Sequence, residues 1–315
     1  MAKILINDGL NPAGIEILEK AGHELHTDKI AQKDLINELP KFDGICVRSA
    51  TKVRTDLIDA CPNLKFIGRG GVGLDNIDVD HARSKGVAVL NTPAASSRSV
   101  AELAFAHMLS LSRFVYQSNR DMPSKGNTEF AKLKKSYAKG SELEGKTIGI
   151  MGMGRIGQET AKIALGMGMK VVGYDPFINK DLELHLKIAS TQVKVEVPMK
   201  SLDAMLEAAD YISLHMPYTG EPALGASEFA KMKKGVFVVD AARGGTIDED
   251  ALLEALNNGT VAAAGLDVFI NEPTPRQDIL DHDRISVTPH IGASTNEAQT
   301  KIGIELAEKI VEVLK

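Results

Sequence analysis

The pattern Gly-x-Gly-x-x-Gly occurs twice in this chain, as Gly68-Arg-Gly70-Gly-Val-Gly73 and as Gly152-Met-Gly154-Arg-Ile-Gly157. Glycines at this spacing let a chain turn sharply, bring its backbone close to a pyrophosphate, and seat a following helix on the preceding strand. The pattern gains meaning from context, because a dinucleotide site also needs a helix after the loop and an acid at the end of the next strand to hold ribose hydroxyls. The second copy meets both demands. It follows the apolar run TIGIM and precedes a helical stretch from Gln158 to Gly166, and the next strand, KVVGY, ends at Asp175. Gly152 would make the turn, Gly154 would admit the phosphates and Gly157 would seat the helix. Arg155 and Ile156 lie at the helix start, where free N–H groups face an anion. A carboxylate at Asp175 repels a 2'-phosphate, so the cofactor expected is NAD. The first copy has no such acid, since its next strand ends in Leu90-Asn91, and it is expected to shape a substrate pocket instead.

Hydride exchange between such a cofactor and a 2-hydroxy acid needs three more groups: a cation for the carboxylate, a base for the hydroxyl proton, and a partner that tunes that base. Three residues just past apolar runs have the right types. Arg243, in VVDAARGG, can form a bidentate fork with a carboxylate. His290, in VTPHIGAS, sits in a loop bracketed by proline and glycine and is the natural proton shuttle near neutral pH. Glu272, in VFINEP, would orient an imidazole and raise its pKa. Taken singly, each reads equally as a surface cation, a structural histidine or a loop carboxylate, and the sequence does not show that they converge.

The elements that must position these residues are legible as short apolar runs alternating with helical stretches, the signature of βαβ units and parallel sheets. Expected strands are Lys3–Asn7, Gly44–Arg48, Lys65–Gly68 and Val87–Leu90, then 147–151, 170–174, 211–215, 236–240, 263–268 and 285–287. Between the two series lie a helix from about Val100 to Arg113, apolar nearly all round, and a polar, lysine-rich stretch reaching Gly145. Such a helix is expected inside the protein or in a subunit interface. The last stretch, Thr295 to Lys315, has helical periodicity and is expected to pack on the first domain.

With 315 residues, 43% of them hydrophobic, the chain can build two cores, while a net charge of −5 gives no reason to expect nucleic acid. The N-terminus MAKILINDGL turns polar too soon for a signal peptide or a membrane span, so a cytoplasmic protein without membrane partner is expected. Cys46 and Cys61 lack metal-ligand spacing and read as reduced and structural, and no metal is expected.

Together, GMGRIG with Asp175, ARGGTIDEDAL, LDVF, NEP and TPHIGAST resemble the D-2-hydroxyacid dehydrogenase family over essentially the whole chain. The resemblance implies an α/β architecture of two doubly wound parallel-sheet domains. A Rossmann NAD-binding domain (99–289) is inserted into a flavodoxin-like substrate domain (1–98 and 290–315), and closure of the two excludes water. It places carboxylate binding on Arg243, acid/base catalysis on His290 and its support on Glu272. Contacts to NAD are implied for Asp267, His215, Met216, Pro217, Ala241, Ala242, Arg243, His290, Gly292 and Ala293, and the apolar helix from Val100 leads to the expectation of a homodimer, with a plain interior helix as the alternative.

Within that family the likeness is strongest to the phosphoglycerate dehydrogenase branch, through VRSATKV, GRGGVGLDNID, NTP and GASTNEAQ. A phosphorylated substrate needs a second cationic patch, expected from Arg48, Ser49, Arg69, Gly71 and Val72. The chain departs from the pattern in three places. It lacks the tryptophan common in the segment 127–134, it carries Ala94-Ala95-Ser96-Ser97 after NTP, and Met216 replaces a frequent threonine. It also ends at Lys315, where some relatives continue into a serine-sensing domain, so feedback by serine is not expected. The same trio would serve a hydroxypyruvate or glyoxylate reductase. A remoter alternative is an NAD-sensing corepressor, which usually carries long disordered extensions.

Overall fold

Neighbouring residues of the first strand enter different cores. Ile4 and Ile6 pack with Leu18, Phe66, Leu306 and Ile310, whereas Leu5 packs with Leu35, Ile45, Leu57 and Ile67. A strand covered on both faces needs no polar alternation, which is why these runs are apolar throughout. That strand, β1 (Lys3–Ile6), joins β2 (Glu24–His26), β3 (Gly44–Val47), β4 (Phe66–Arg69) and β5 (Ala88–Asn91) in a parallel sheet of order β2-β1-β3-β4-β5. Gly44 leaves room for the Phe66 ring, which would lie 2.1 Å from a Cβ at that position.

The computed structural model describes residues 1–315 and divides into two units, Met1–Ser99 with Ala293–Lys315, and Val100–Gly292. The final helix, Asn296–Val313, belongs to the first unit and crosses the helix Pro12–Lys20 at Gly14 and Gly303. A Cβ on Gly14 would fall 2.4 Å from the Gly303 carbonyl oxygen, so the approach requires both glycines. The units divide after Ser99 and after Gly292, within a few residues of the crossings expected near 98 and 289. At the second boundary the ties are local. The Asp267 carboxylate accepts the N–H groups of Ile291 and Gly292, each at 2.8 Å, and ties them to the second unit.

In that unit β6 (Thr147–Met151), β7 (Lys170–Tyr174), β10 (Tyr211–Leu214), β11 (Val236–Asp240), β12 (Val261–Leu266) and β13 (Ile285–Val287) form a parallel sheet of order β13-β12-β11-β10-β6-β7. The chain runs from β6 outward to β7 and then returns across β6 to β10, so the direction of winding reverses between β6 and β10. In open parallel sheets ligands bind beyond the carboxyl ends of the strands at such a reversal. The antiparallel hairpin β8 (Leu182–Ile188) and β9 (Thr191–Val197), absent from the expected elements, buries Leu184, Leu186 and Val197 against the core that holds Ile148, Ile150 and Ala161.

The lysine-rich stretch, read only as polar, is a helix, Val115–Ser136, irregular at Glu129. One expectation is corrected. The helix Ser97–Ser112 is one-sided rather than buried all round. It packs Ala104, Phe105, Met108 and Leu111 inward and leaves Glu102, Ala106 and Leu109 outward. No helix is long and apolar enough to cross a membrane.

Candidate active site

The loop after β6 has the backbone geometry that a phosphate would need. Gly152 has φ +89°, and a Cβ there would lie 2.8 Å from the His215 carbonyl oxygen. Gly157 faces the loop so closely that its Cβ would fall 2.1 Å from the Gly152 carbonyl oxygen. Gly154, by contrast, has nothing within 4 Å, which leaves space where a ligand's phosphates can approach the backbone. The helix Arg155–Gly166 starts there, with Arg155 exposed and Ile156 half-buried. At the end of β7, Asp175 accepts the Met153 N–H and the Phe177 N–H, both at 3.0 Å, which joins the acid to the glycine loop. A dinucleotide fits this arrangement: open backbone for the pyrophosphate, a helix N-terminus, and a carboxylate for the ribose.

His215, Met216 and Pro217 come directly after β10. The His215 imidazole is occupied within the protein, its Nε2 lying 2.9 Å from both Thr160 Oγ1 and Ser213 Oγ. Burial pushes its pKa down to about 3, so the ring is neutral and braces the helix that succeeds the glycine loop.

The next strand ends carry the polar trio. Ala241, Ala242 and Arg243 lie just past β11, Asp267 just past β12, and His290 and Gly292 just past β13. The sheet brings Arg243, Glu272 and His290 together. Glu272 Oε2 lies 2.8 Å from His290 Nδ1, while its Oε1 accepts the Phe269 N–H at 3.0 Å. The His290–Glu272 bond raises the imidazole pKa against burial, and the Glu272 charge adds to it. Burial pulls the Glu272 carboxyl upward, but the His290 bond and the charges of His290 and Arg243 outweigh it and hold it below its ordinary value. The Arg243 charge acts on both partners. With Nδ1–H directed to Glu272, His290 Nε2 is left to exchange a proton with a substrate. Its backbone is in the left-handed region, φ +53°, a cost of about 1–3 kcal/mol for a non-glycine residue that its surroundings must sustain.

Beneath the trio lie residues that sequence reading did not single out. Asp240, at the end of β11, accepts the Ala242 N–H at 2.8 Å and lies 2.5 Å from Thr246 Oγ1. Burial raises its pKa to about 7. The Thr246 hydroxyl has one proton but faces two acceptors, Asp240 and the Arg243 carbonyl at 2.7 Å. The hydroxyl thereby couples the end of β11 to the peptide of the arginine. Gly244 must also be glycine, since a Cβ would fall 1.9 Å from the Phe269 carbonyl oxygen.

In the first unit, Arg48 and Ser49 come after β3, and Arg69 ends β4. Asp8 accepts the Arg48 N–H at 2.8 Å and the Thr51 N–H at 3.0 Å, and Asn76 Nδ2 donates to the carbonyls of Arg48 and Thr51. The Arg48 loop is therefore held from two sides. Gly71 makes room for Arg69, whose Nη1 would lie 1.9 Å from a Cβ there, and the Val72 carbonyl accepts from Asn91 Nδ2 at 2.7 Å. A cavity of about 260 Å³, lined by Asp8, Cys46, Arg48, Gly70, Gln299 and Ile302 among others, opens beside these loops. Ala293, expected beside the cofactor with Gly292, is counted with this unit. Asp8 was detectable as an acid just past an apolar run, but Asn76 and Thr246 carry no sequence signal of their role.

A parallel sheet with a dinucleotide cradle and a His–Glu pair beyond its carboxyl edge defines a nicotinamide-dependent oxidoreductase. Residues 105–292 match the family described as D-isomer specific 2-hydroxyacid dehydrogenase, NAD binding domain. The chain is 44% identical to the hydroxypyruvate reductase of Thermotoga maritima, over 99% of this chain and 98% of that protein. It is 40% identical to the D-3-phosphoglycerate dehydrogenase of Archaeoglobus fulgidus over 99% of this chain, and spans 57% of that enzyme's length. A glyoxylate reductase from Paecilomyes thermophila superposes with a TM-score of 0.82 at 28% identity, covering 98% of this chain and 93% of that one. The chain belongs to the NAD-dependent D-2-hydroxyacid dehydrogenase family.

Proposed function

We propose that this protein interconverts D-3-phosphoglycerate and 3-phosphohydroxypyruvate, the oxidation that opens a route to serine. The observation that carries the reading is the Arg48 loop, held on Asp8 and Asn76 beside a cavity, which offers a cation where an unphosphorylated acid would need none. Arg69, with Ser49, Gly71 and Val72, completes the phosphate-reading surface of that unit.

The chemistry proper falls to the second unit. Gly152, Gly154, Gly157 and Asp175 would hold NAD, with Asp267 toward its carboxamide, and NAD would supply the hydride acceptor. Arg243 forks the substrate carboxylate, so that the C2 hydroxyl meets His290 Nε2. In oxidation His290 takes the hydroxyl proton as the C2 hydrogen leaves with its electron pair, and Glu272 stabilises the imidazolium that forms. In reduction the same nitrogen returns the proton to the new alkoxide.

A second reading, a hydroxypyruvate or glyoxylate reductase, is favoured by the Thermotoga relative, 98% of whose length the match covers. Initial rates with NADH on 3-phosphohydroxypyruvate, hydroxypyruvate and glyoxylate separate the two. The proposal expects strong preference for the phosphorylated acid, lost in Arg48→Ala; equal or better rates on the unphosphorylated acids would overturn it. We also infer a homodimer through the outward apolar side chains Leu109, Val115 and Met122, 41%, 52% and 43% exposed. A sedimentation mass of one chain would refute it.

A further inference from the structure

His107 is a buried ionisable residue that the chemistry above leaves unused. It lies on the helix Ser97–Ser112, only 3% exposed, and burial lowers its pKa. Its ring is fitted into the sheet at Gly265 of β12, where a Cβ would fall 2.7 Å from the His107 Cβ. Nε2 lies 3.0 Å from Thr288 Oγ1 and Nδ1 lies 3.2 Å from Ser286 Oγ.

Counting protons gives this chain of bonds a direction. The Thr288 hydroxyl donates to Asp267 Oδ1 at 2.6 Å, and the same carboxylate also accepts the N–H groups of Ile291 and Gly292. Having spent its one proton, Thr288 can only accept from the imidazole. His107 must therefore be the neutral tautomer with hydrogen on Nε2, and Nδ1 accepts from Ser286. The sequence Ser286 to His107 to Thr288 to Asp267 leaves no buried group without its partner and directs every donor toward the carboxylate.

That carboxylate holds the residues on both sides of His290. Thr288 and Ile291 flank it, and between them His290 keeps its left-handed backbone. We propose that His107 is a positioning residue: by donating to Thr288 it orients that hydroxyl onto Asp267, and so keeps the 288–292 loop and the His290–Glu272 pair in place. The proposal rests on His290 being the acid/base.

The test compares His290→Ala, His107→Leu, His107→Gln, Thr288→Val and the His107→Leu/Thr288→Val double variant, all as full-length protein. For each, kcat, KM for the keto acid and NADH affinity by fluorescence titration are measured. Leu removes both ring hydrogen bonds, whereas the Gln amide can still donate from near the Nε2 position. His290→Ala should lose at least a hundredfold in kcat. His107→Leu should lose about tenfold in kcat with NADH affinity within twofold of the parent, His107→Gln should recover most of that loss, and the double variant should be no worse than Thr288→Val alone. Unchanged kcat in His107→Leu, multiplying losses in the double variant, or equal impairment by Gln and Leu would overturn the inference. Full turnover in His290→Ala would instead overturn the acid/base reading on which it stands.

Discussion

The two glycine loops share a spacing and differ in the element each one leads into. After β6, Gly152–Gly154 runs directly into the helix that begins at Arg155. After β4 the chain continues without a helix from Gly70 to Asp78, and the helix begins only at Val79. The same glycines thus serve a phosphate cradle in one sheet and a turn beneath an arginine in the other. Their steric surroundings differ in the same sense. A Cβ on Gly157 would meet the backbone of its own loop, whereas one on Gly68 would lie 3.2 Å from Leu306 Cδ1, the end of a flexible side chain. A dinucleotide pattern is informative through the helix it launches, because the helix supplies the N–H groups and the dipole.

Matched substitutions test that contrast. The largest effect is expected from Gly157→Ala, whose Cβ would stand 2.1 Å from a backbone oxygen. Displacing the cradle should cost roughly a hundredfold in kcat/KM, the scale of a misplaced reacting group, and about 1–3 kcal/mol of stability by overpacking. Gly68→Ala, at the first glycine of the other loop, should stay below about 1 kcal/mol because Leu306 can yield. Calorimetry and steady-state rates on the two variants check this, and equal damage would erase the distinction.

Next in size is Gly154→Ala. With nothing within 4 Å it should keep the parent's Tm, yet bind NADH about tenfold more weakly, about 1.4 kcal/mol. Gly70→Ala should leave NADH affinity unchanged, and a matching loss there would place the cofactor wrongly.

The smallest effect concerns pH. In the proposed mechanism reduction of the keto acid needs protonated His290, whose pKa the Glu272 bond raises, so the rate should hold above the ordinary imidazole range and fall as pH passes the raised value. In Glu272→Gln, burial and the Arg243 charge act without opposition from the Glu272 charge, and that upper limit should move to lower pH. Arg48→Ala, a change in the first unit, should leave the limit where it was. A pH–rate profile on which Glu272→Gln shows no downward movement would remove Glu272 as the tuning partner.

Legibility tracked the range of the interactions. The parallel strands could be read because a strand buried on both faces is apolar residue by residue, and the cradle because its glycines and Asp175 fall within one βαβ unit. The hairpin β8–β9 was missed although Leu182, Leu184 and Leu186 alternate with Glu183, His185 and Lys187; the alternation is brief and the surrounding pattern favoured helices. The trio's residue types were visible but not its assembly, since Arg243, Glu272 and His290 come from the ends of different strands. The bonds from His107 to Thr288 and from Thr160 to His215 join residues far apart in the chain, with no local pattern on either side.

The return of the last helix to the first sheet has a consequence for how the protein is made. Ile4, Ile6 and Phe66 share their core with Leu306, Ala307 and Ile310. At a synthesis rate of about 5–20 residues per second, the chain between Phe66 and Ile310 takes on the order of ten to fifty seconds to emerge. For that interval the face of the β1–β5 sheet met by Leu18 lacks Leu306, Ala307 and Ile310, while the strands β6–β13 find their partners within one uninterrupted stretch of chain. The first unit is thus open to chaperones, and to aggregation, until its last helix has been made.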